Sequence, residues 1–124
     1  MTTYAKLVDL MGPLPRLDRL GALALAESCV GKANENRFIL VLNLIDLFLS
    51  RAARAGVMGP AHPEAAPGEA QLLARLSPDD QAAMKWAALH QSMGARAAHG
   101  RAVNLDPAAL LLDTVFRIKD TAGG

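Results

Sequence analysis

The chain has 124 residues, a formal net charge of +1 and a composition that is 52% hydrophobic but only 4% aromatic. That length supports one domain with its own core and leaves no room for two. The scarcity of aromatics beside abundant Ala and Leu, both strong helix formers, argues for helices and against a sheet. Charges of both signs are interspersed, which excludes the clustered basic surface of a dedicated nucleic-acid or membrane-surface binder.

Cys29 is the single cysteine, so no internal disulfide can form and a reducing, cytoplasmic setting is expected. Met1 to Ala5 carry no basic stretch leading into an apolar run, so no signal peptide is read there. The greasiest segment, Phe38 to Leu49, is interrupted by Asn43 and Asp46 and is too short to span a bilayer.

In chain order, Tyr4, Leu7, Val8 and Met11 make one apolar face and predict a first helix from about Tyr4 to Met11, ended by Gly12-Pro13 and Pro15. A second helix is expected from its N-cap Asp18 to Val30, with Gly31 as the residue that closes it. The third carries the strongest signal: Asn34 to Ala55, stopping at Gly56, with Phe38, Leu42, Ile45, Leu49 and Ala52 as the core seam. Ile39, Leu40, Val41, Leu44, Leu47 and Phe48 extend the apolar surface around most of the cylinder, so it reads as a central helix buried on several sides.

Three prolines and three glycines between Gly56 and Gly68 predict a flexible loop over 56–68. A short helix, Glu69 to Arg75, follows. Ser77-Pro78-Asp79-Asp80 reads as N-cap, first-turn proline and first-turn acids of a fifth helix running to about Ala98 and ended by Gly100. Ala82, Trp86, Leu89 and Met93 form its inner face. Asp106-Pro107 repeats the cap-plus-proline start for a last helix to about Thr121, with Leu111, Val115 and Ile118 inward and Asp113–Arg117 paired at i, i+4. Gly123-Gly124 reads as a frayed tail. The fold class is therefore all-α: a single domain over 1–124, a compact bundle of five to six helices.

No constellation in the sequence carries chemistry. His62 sits in the proline-rich loop, and His90 and His99 lie about two and a half turns apart on opposite sides of one helix, so no metal site is expected. Cys29 has no neighbouring His or basic cluster and reads as a small buried hydrophobe. Asp79 and Asp80 are accounted for by the helix macrodipole. No phosphate-cradling loop, dinucleotide fingerprint or nucleophile elbow is present, so no cofactor is expected. Arg51, Arg54, Arg75, Lys85, Arg96 and Arg101 could line a DNA-facing surface, but acids interleave with them and solvated helix faces are the expectation.

The informative oddity is a thin polar stripe on the third helix: Asn36, Asn43, Asp46, Ser50 and Arg54. It is either the solvent edge of a buried helix or the border of apolar surface that another subunit covers. Asn43, Asp46, Ser50 and Arg54 are the candidate subunit-interface residues.

The stretch from Val103 to Ile118, Val-Asn-Leu-Asp-Pro-Ala-Ala-Leu-Leu-Leu-Asp-Thr-Val-Phe-Arg-Ile, resembles the closing helix of the bacterial DNA polymerase III delta-prime subunit. Leu14-Pro15-Arg16-Leu17-Asp18, and Arg37-Phe38 opening an apolar helix toward Asp46-Leu47-Phe48-Leu49, look like the same subunit in alphaproteobacteria. The likeness spans about Tyr4 to Thr121 and contains no catalytic motif. It implies a clamp-loader collar domain, non-catalytic, joined to the delta and gamma/tau subunits in a ring that supports sliding-clamp loading in DNA replication. ATPase-like modules would then precede residue 1, with Met1 an expression start. The alternative readings are a free-standing helical adaptor or regulator with a groove for a partner helix, and, less well supported, a small helical enzyme.

Overall fold

The computed structural model describes residues 2–102 and 106–123, with side chains through residue 100 and again from Asp106 to Gly123. Val103, Asn104 and Leu105, part of the delta-prime-like stretch, lie outside the described residues, as does the side chain of Arg101. Six α-helices and no strand occur among the described residues, so the chain is an all-α helical bundle. They are α1 (Thr3–Met11), α2 (Arg19–Glu27), α3 (Glu35–Met58), α4 (Glu69–Leu76), α5 (Asp80–Ala102) and α6 (Pro107–Gly123).

Local chemistry explains most of the starts. The Thr2 hydroxyl accepts from the Ala5 N–H at 3.1 Å to open α1. Asp18 does the same for α2 through the Gly21 N–H at 3.0 Å. α2 ends at Glu27, three residues before the expected Val30. Gly31 has φ of +94° and leads into a single 3-10 turn, Lys32–Asn34, instead of closing α2.

Two boundaries differ from the sequence expectation for one shared reason. α3 does not stop at Gly56; it continues to Met58 and is closed by Gly59 at φ +78°. Residues 56–58 of the expected 56–68 loop are therefore helix. Gly56 is needed for a close approach: a Cβ there would lie 2.2 Å from the Asp79 carbonyl oxygen and 2.7 Å from both the Ala83 Cβ and the Ser77 Oγ. Ser77 is pressed into this contact, so it is buried and its hydroxyl is unpartnered. The cap of α5 is instead Asp79, whose Oδ1 accepts from the Ala82 N–H at 2.9 Å. At the other end, Gly100 lies within α5, and Gly123 within α6.

α3 is central: it packs most extensively on α5 and also touches α1 and α4, while α6 rests on α2 and α5. The core holds Met11 and Leu14 from the first segment, Val41, Ile45, Phe48, Leu49 and Ala52 from α3, Leu73 from α4, Trp86 from α5, and Leu111, Val115 and Ile118 from α6. Leu42, expected in the seam, is only partly buried, and Val41 and Phe48 take its place. Ala83, not Ala82, is the buried first-turn residue of α5. Cys29 is buried as expected. The lone Trp86 is buried with its Nε1–H donating to the Leu76 carbonyl at 2.9 Å, which satisfies an orphan acceptor at the end of α4.

Candidate functional site

α3 is not covered all round. Asn36, Leu40, Asn43, Leu47, Ser50 and Arg54 step by four and three residues along one face, and all are exposed except the half-buried Ser50. Leu40 keeps 45% of its surface in solvent, Leu47 39% and the adjacent Ile39 38%. Val57 and Met58 extend this exposed apolar surface at the C-terminal end of the helix. α3 is buried on several sides, against α5, α4 and α1, but among the described residues this face is left uncovered. All four candidate interface residues, Asn43, Asp46, Ser50 and Arg54, lie on it or at its edge, interleaved with the exposed leucines. Ser50 Oγ donates to its own helix, to the Leu47 carbonyl at 3.0 Å.

Asp46 forms the border with a groove between α3, α5 and α6 of about 200 Å³. Leu42, Ile45, Leu49 and Met93 supply its apolar wall, and Gly94, Ala97 and Ala98 keep that wall low. A Cβ at Gly94 would meet nothing within 4 Å. Nε2 of His90 stands 2.8 Å from Asp46 Oδ1 at the same border; the Asp46 side chain is exposed, whereas Nε2 itself is buried. His99 is exposed on a shallow hollow between α5 and α6, away from His90. Among the described residues no group of three or more His, Cys, Asp or Glu side chains is arranged to hold a metal.

The arginines are not simply solvated, contrary to expectation. Arg75 reaches back to donate to the Leu14 carbonyl at 2.5 Å and the Gly12 carbonyl at 2.7 Å, satisfying acceptors just past the end of α1. Arg96 donates to Asp113 Oδ2 at 2.6 Å, alongside the expected Arg117 contact at 3.2 Å. Burial acts to raise the Asp113 pKa, but hydrogen bonds from Arg96 and Arg117 outweigh it and hold the carboxyl below its usual value. Arg54 remains exposed on α3.

Arg51 enters a buried cluster that the sequence gives no sign of. Its Nε and Nη2 grip Glu69 at 2.9 and 2.7 Å, a bidentate pair. Glu69 has no exposed surface and also accepts from the Tyr4 hydroxyl and from the Ala65 N–H at 2.9 Å. Burial alone would raise the Glu69 pKa; the donors from Arg51, Ala65 and Tyr4 reverse this and hold it low. Tyr4 is pushed well above its ordinary value, first by burial and then by its bond to the Glu69 carboxylate. The Arg51 guanidinium is raised, chiefly by the hydrogen bond to Glu69. Four donors on one carboxylate leave it no free lone pair to begin a reaction, so the cluster is a structural clasp.

No protein-family model matches the chain, and no curated protein or solved structure matches it either. Among the described residues, no helix is long and apolar enough to cross a membrane.

Proposed function

We propose that this chain is an oligomerisation domain: the collar of a cytoplasmic DNA polymerase III clamp-loader subunit of the delta-prime type. It has no catalytic role of its own, contacts the delta and gamma/tau subunits and does not bind DNA directly. The observation that carries the reading is the exposed face of α3, where Leu40 and Leu47 stand among Asn36, Asn43, Ser50 and Arg54. Large aliphatic side chains in a row on a helix otherwise packed in the core are the composition of surface meant to be covered. Apolar burial drives such association and bulk charge contributes little, since the net charge is +1. Near-neutral charge also gives little counterion-release drive toward DNA.

Co-purification with the collar domains of delta and gamma/tau on size exclusion tests the reading, with Ser50→Trp as the probe. The substitution leaves fold stability within about 0.5 kcal/mol, as for an ordinary surface change, and weakens assembly through a clash. Absence of a complex at concentrations where the full-length subunits assemble would remove the collar reading. The groove at Asp46 supports the second reading, an adaptor that takes one helix of a different partner. Under that reading Gly94→Leu, which fills the groove, abolishes binding while Ser50→Trp is tolerated.

A further inference from the structure

Residues 59–68 cross from α3 to α4 as a strap with a glycine of positive φ at each end, Gly59 at +78° and Gly68 at +85°. Between these hinges the strap is largely exposed; Ala66 is its one buried side chain among the described residues. It does not pack tightly on α1: a cleft of about 370 Å³ runs between Ala65, Ala66 and Pro67 on one side and Thr2, Ala5 and Asp9 on the other. Two backbone hydrogen bonds join its C-terminal end to α4, from the Glu69 N–H to the Ala66 carbonyl at 3.1 Å and from the Leu72 N–H to the Gly68 carbonyl at 3.0 Å, and two contacts involve side chains. The Ala65 N–H donates to Glu69 Oε1, and Glu64 Oε2 accepts from the Ala70 N–H at 3.1 Å. The first of these side-chain contacts is to a carboxylate fixed from the other sides by Arg51 and Tyr4.

We propose that Glu69 is the latch of a hinged strap, and that residues 59–68 open and close as a unit while the helical body stays folded. The disparity in anchoring carries this. α1, α3 and α4 are committed to the core by many buried side chains, whereas the strap is committed by Ala66 and by hydrogen bonds that end on Glu69 and the first turn of α4. Segments with few buried contacts open at lower free energy than the elements around them. The inference does not depend on the collar reading.

Amide hydrogen exchange on the full 124-residue chain, resolved by NMR, tests it. In the wild-type protein the Ala65 amide is protected, and its exchange rate is nearly independent of urea below the unfolding transition, the mark of local opening. Amides of α3 and α5 exchange with the full urea dependence of global unfolding. Glu69→Gln speeds Ala65 exchange about tenfold or more relative to those helical amides, because a charged acceptor is replaced by a weaker neutral one. Tyr4→Phe removes a donor that does not come from the strap and leaves that ratio unchanged. An unprotected Ala65 amide, or one that exchanges only through global unfolding, overturns the proposal even if Glu69→Gln does not fold. Equal acceleration of Ala65 and the α5 amides in Glu69→Gln also overturns it, since Glu69 would then be a buttress of the whole body.

Discussion

Gly56→Ala and Gly94→Ala place the same methyl group into two helices and are expected to change stability in opposite directions. At Gly56 the new Cβ would sit 2.2 Å from the Asp79 carbonyl oxygen and 2.7 Å from the Ala83 Cβ. The carbonyl is backbone at the very start of α5, so relief requires α3 and α5 to move apart along their most extensive contact. Overpacking of this kind costs about 1–3 kcal/mol, and the backbone identity of the clashing atom favours the upper half of that range. Exchanging Gly for Ala inside a helix returns about 0.8–1 kcal/mol. The net expectation is a loss of about 1–2 kcal/mol. At Gly94 nothing lies within 4 Å of the new Cβ, so only the helix gain remains, about 0.5–1 kcal/mol of added stability. Urea unfolding followed by the fluorescence of Trp86, the only tryptophan, gives both values. If Gly56→Ala matches or exceeds the wild type, the close approach of α3 to α5 is wrong and the loop expected at Gly56 regains its claim.

Ile45→Ala, at a site 2% exposed, is expected to cost about 2–5 kcal/mol, and Leu42→Ala, at the rim of the groove, clearly less by the same urea titration. Arg51→Ala leaves the Glu69 charge buried without its main partner and is expected to cost about 3–5 kcal/mol, measured by thermal or chemical unfolding. The Glu69 pKa is held below its ordinary value of 4.5, so its contribution to stability is complete above that pH and is lost as pH falls through the folded-state value. Tyr4 has the opposite sign: with its pKa raised above 10.0, its contribution is complete below pH 10.0 and declines as pH rises toward the folded-state value. Unfolding free energies across pH 2–12 should show the alkaline decline shrink in Tyr4→Phe, and the acid decline shrink in Glu69→Gln.

The helices were legible in the sequence because their burial is periodic. Leu111, Val115 and Ile118 are inward as their spacing requires, and so is the Phe38–Ile45–Leu49–Ala52 seam. Boundaries failed where a tertiary contact overrode a local signal. Gly56 reads as a helix stop and Ser77-Pro78 as a cap, yet both serve the crossing of α3 against the start of α5, which no local pattern encodes. The polar stripe of α3 was visible, but not that Leu40 and Leu47 beside it lie bare, because periodicity says which residues share a face and not what covers it. The clasp was invisible for a reason of distance: Glu69 meets Tyr4 across 65 positions and Arg51 across 18. A first-turn Glu after a Gly is also ordinary helix chemistry, so its burial left no mark.

The reach of Arg75 to the carbonyls of Gly12 and Leu14, 63 and 61 positions back, has a consequence for the order in which the chain matures. During synthesis α1 leaves the ribosome long before α4 exists. At about 5–20 residues per second, α1 waits roughly 3–12 s before Arg75 is made, plus the time that residue takes to clear the exit tunnel. Until then the carbonyls of Gly12 and Leu14 lack the guanidinium that they accept from in the folded protein. The junction after α1 is therefore completed only once α4 has been made and docked, which makes it a late-forming contact of the fold.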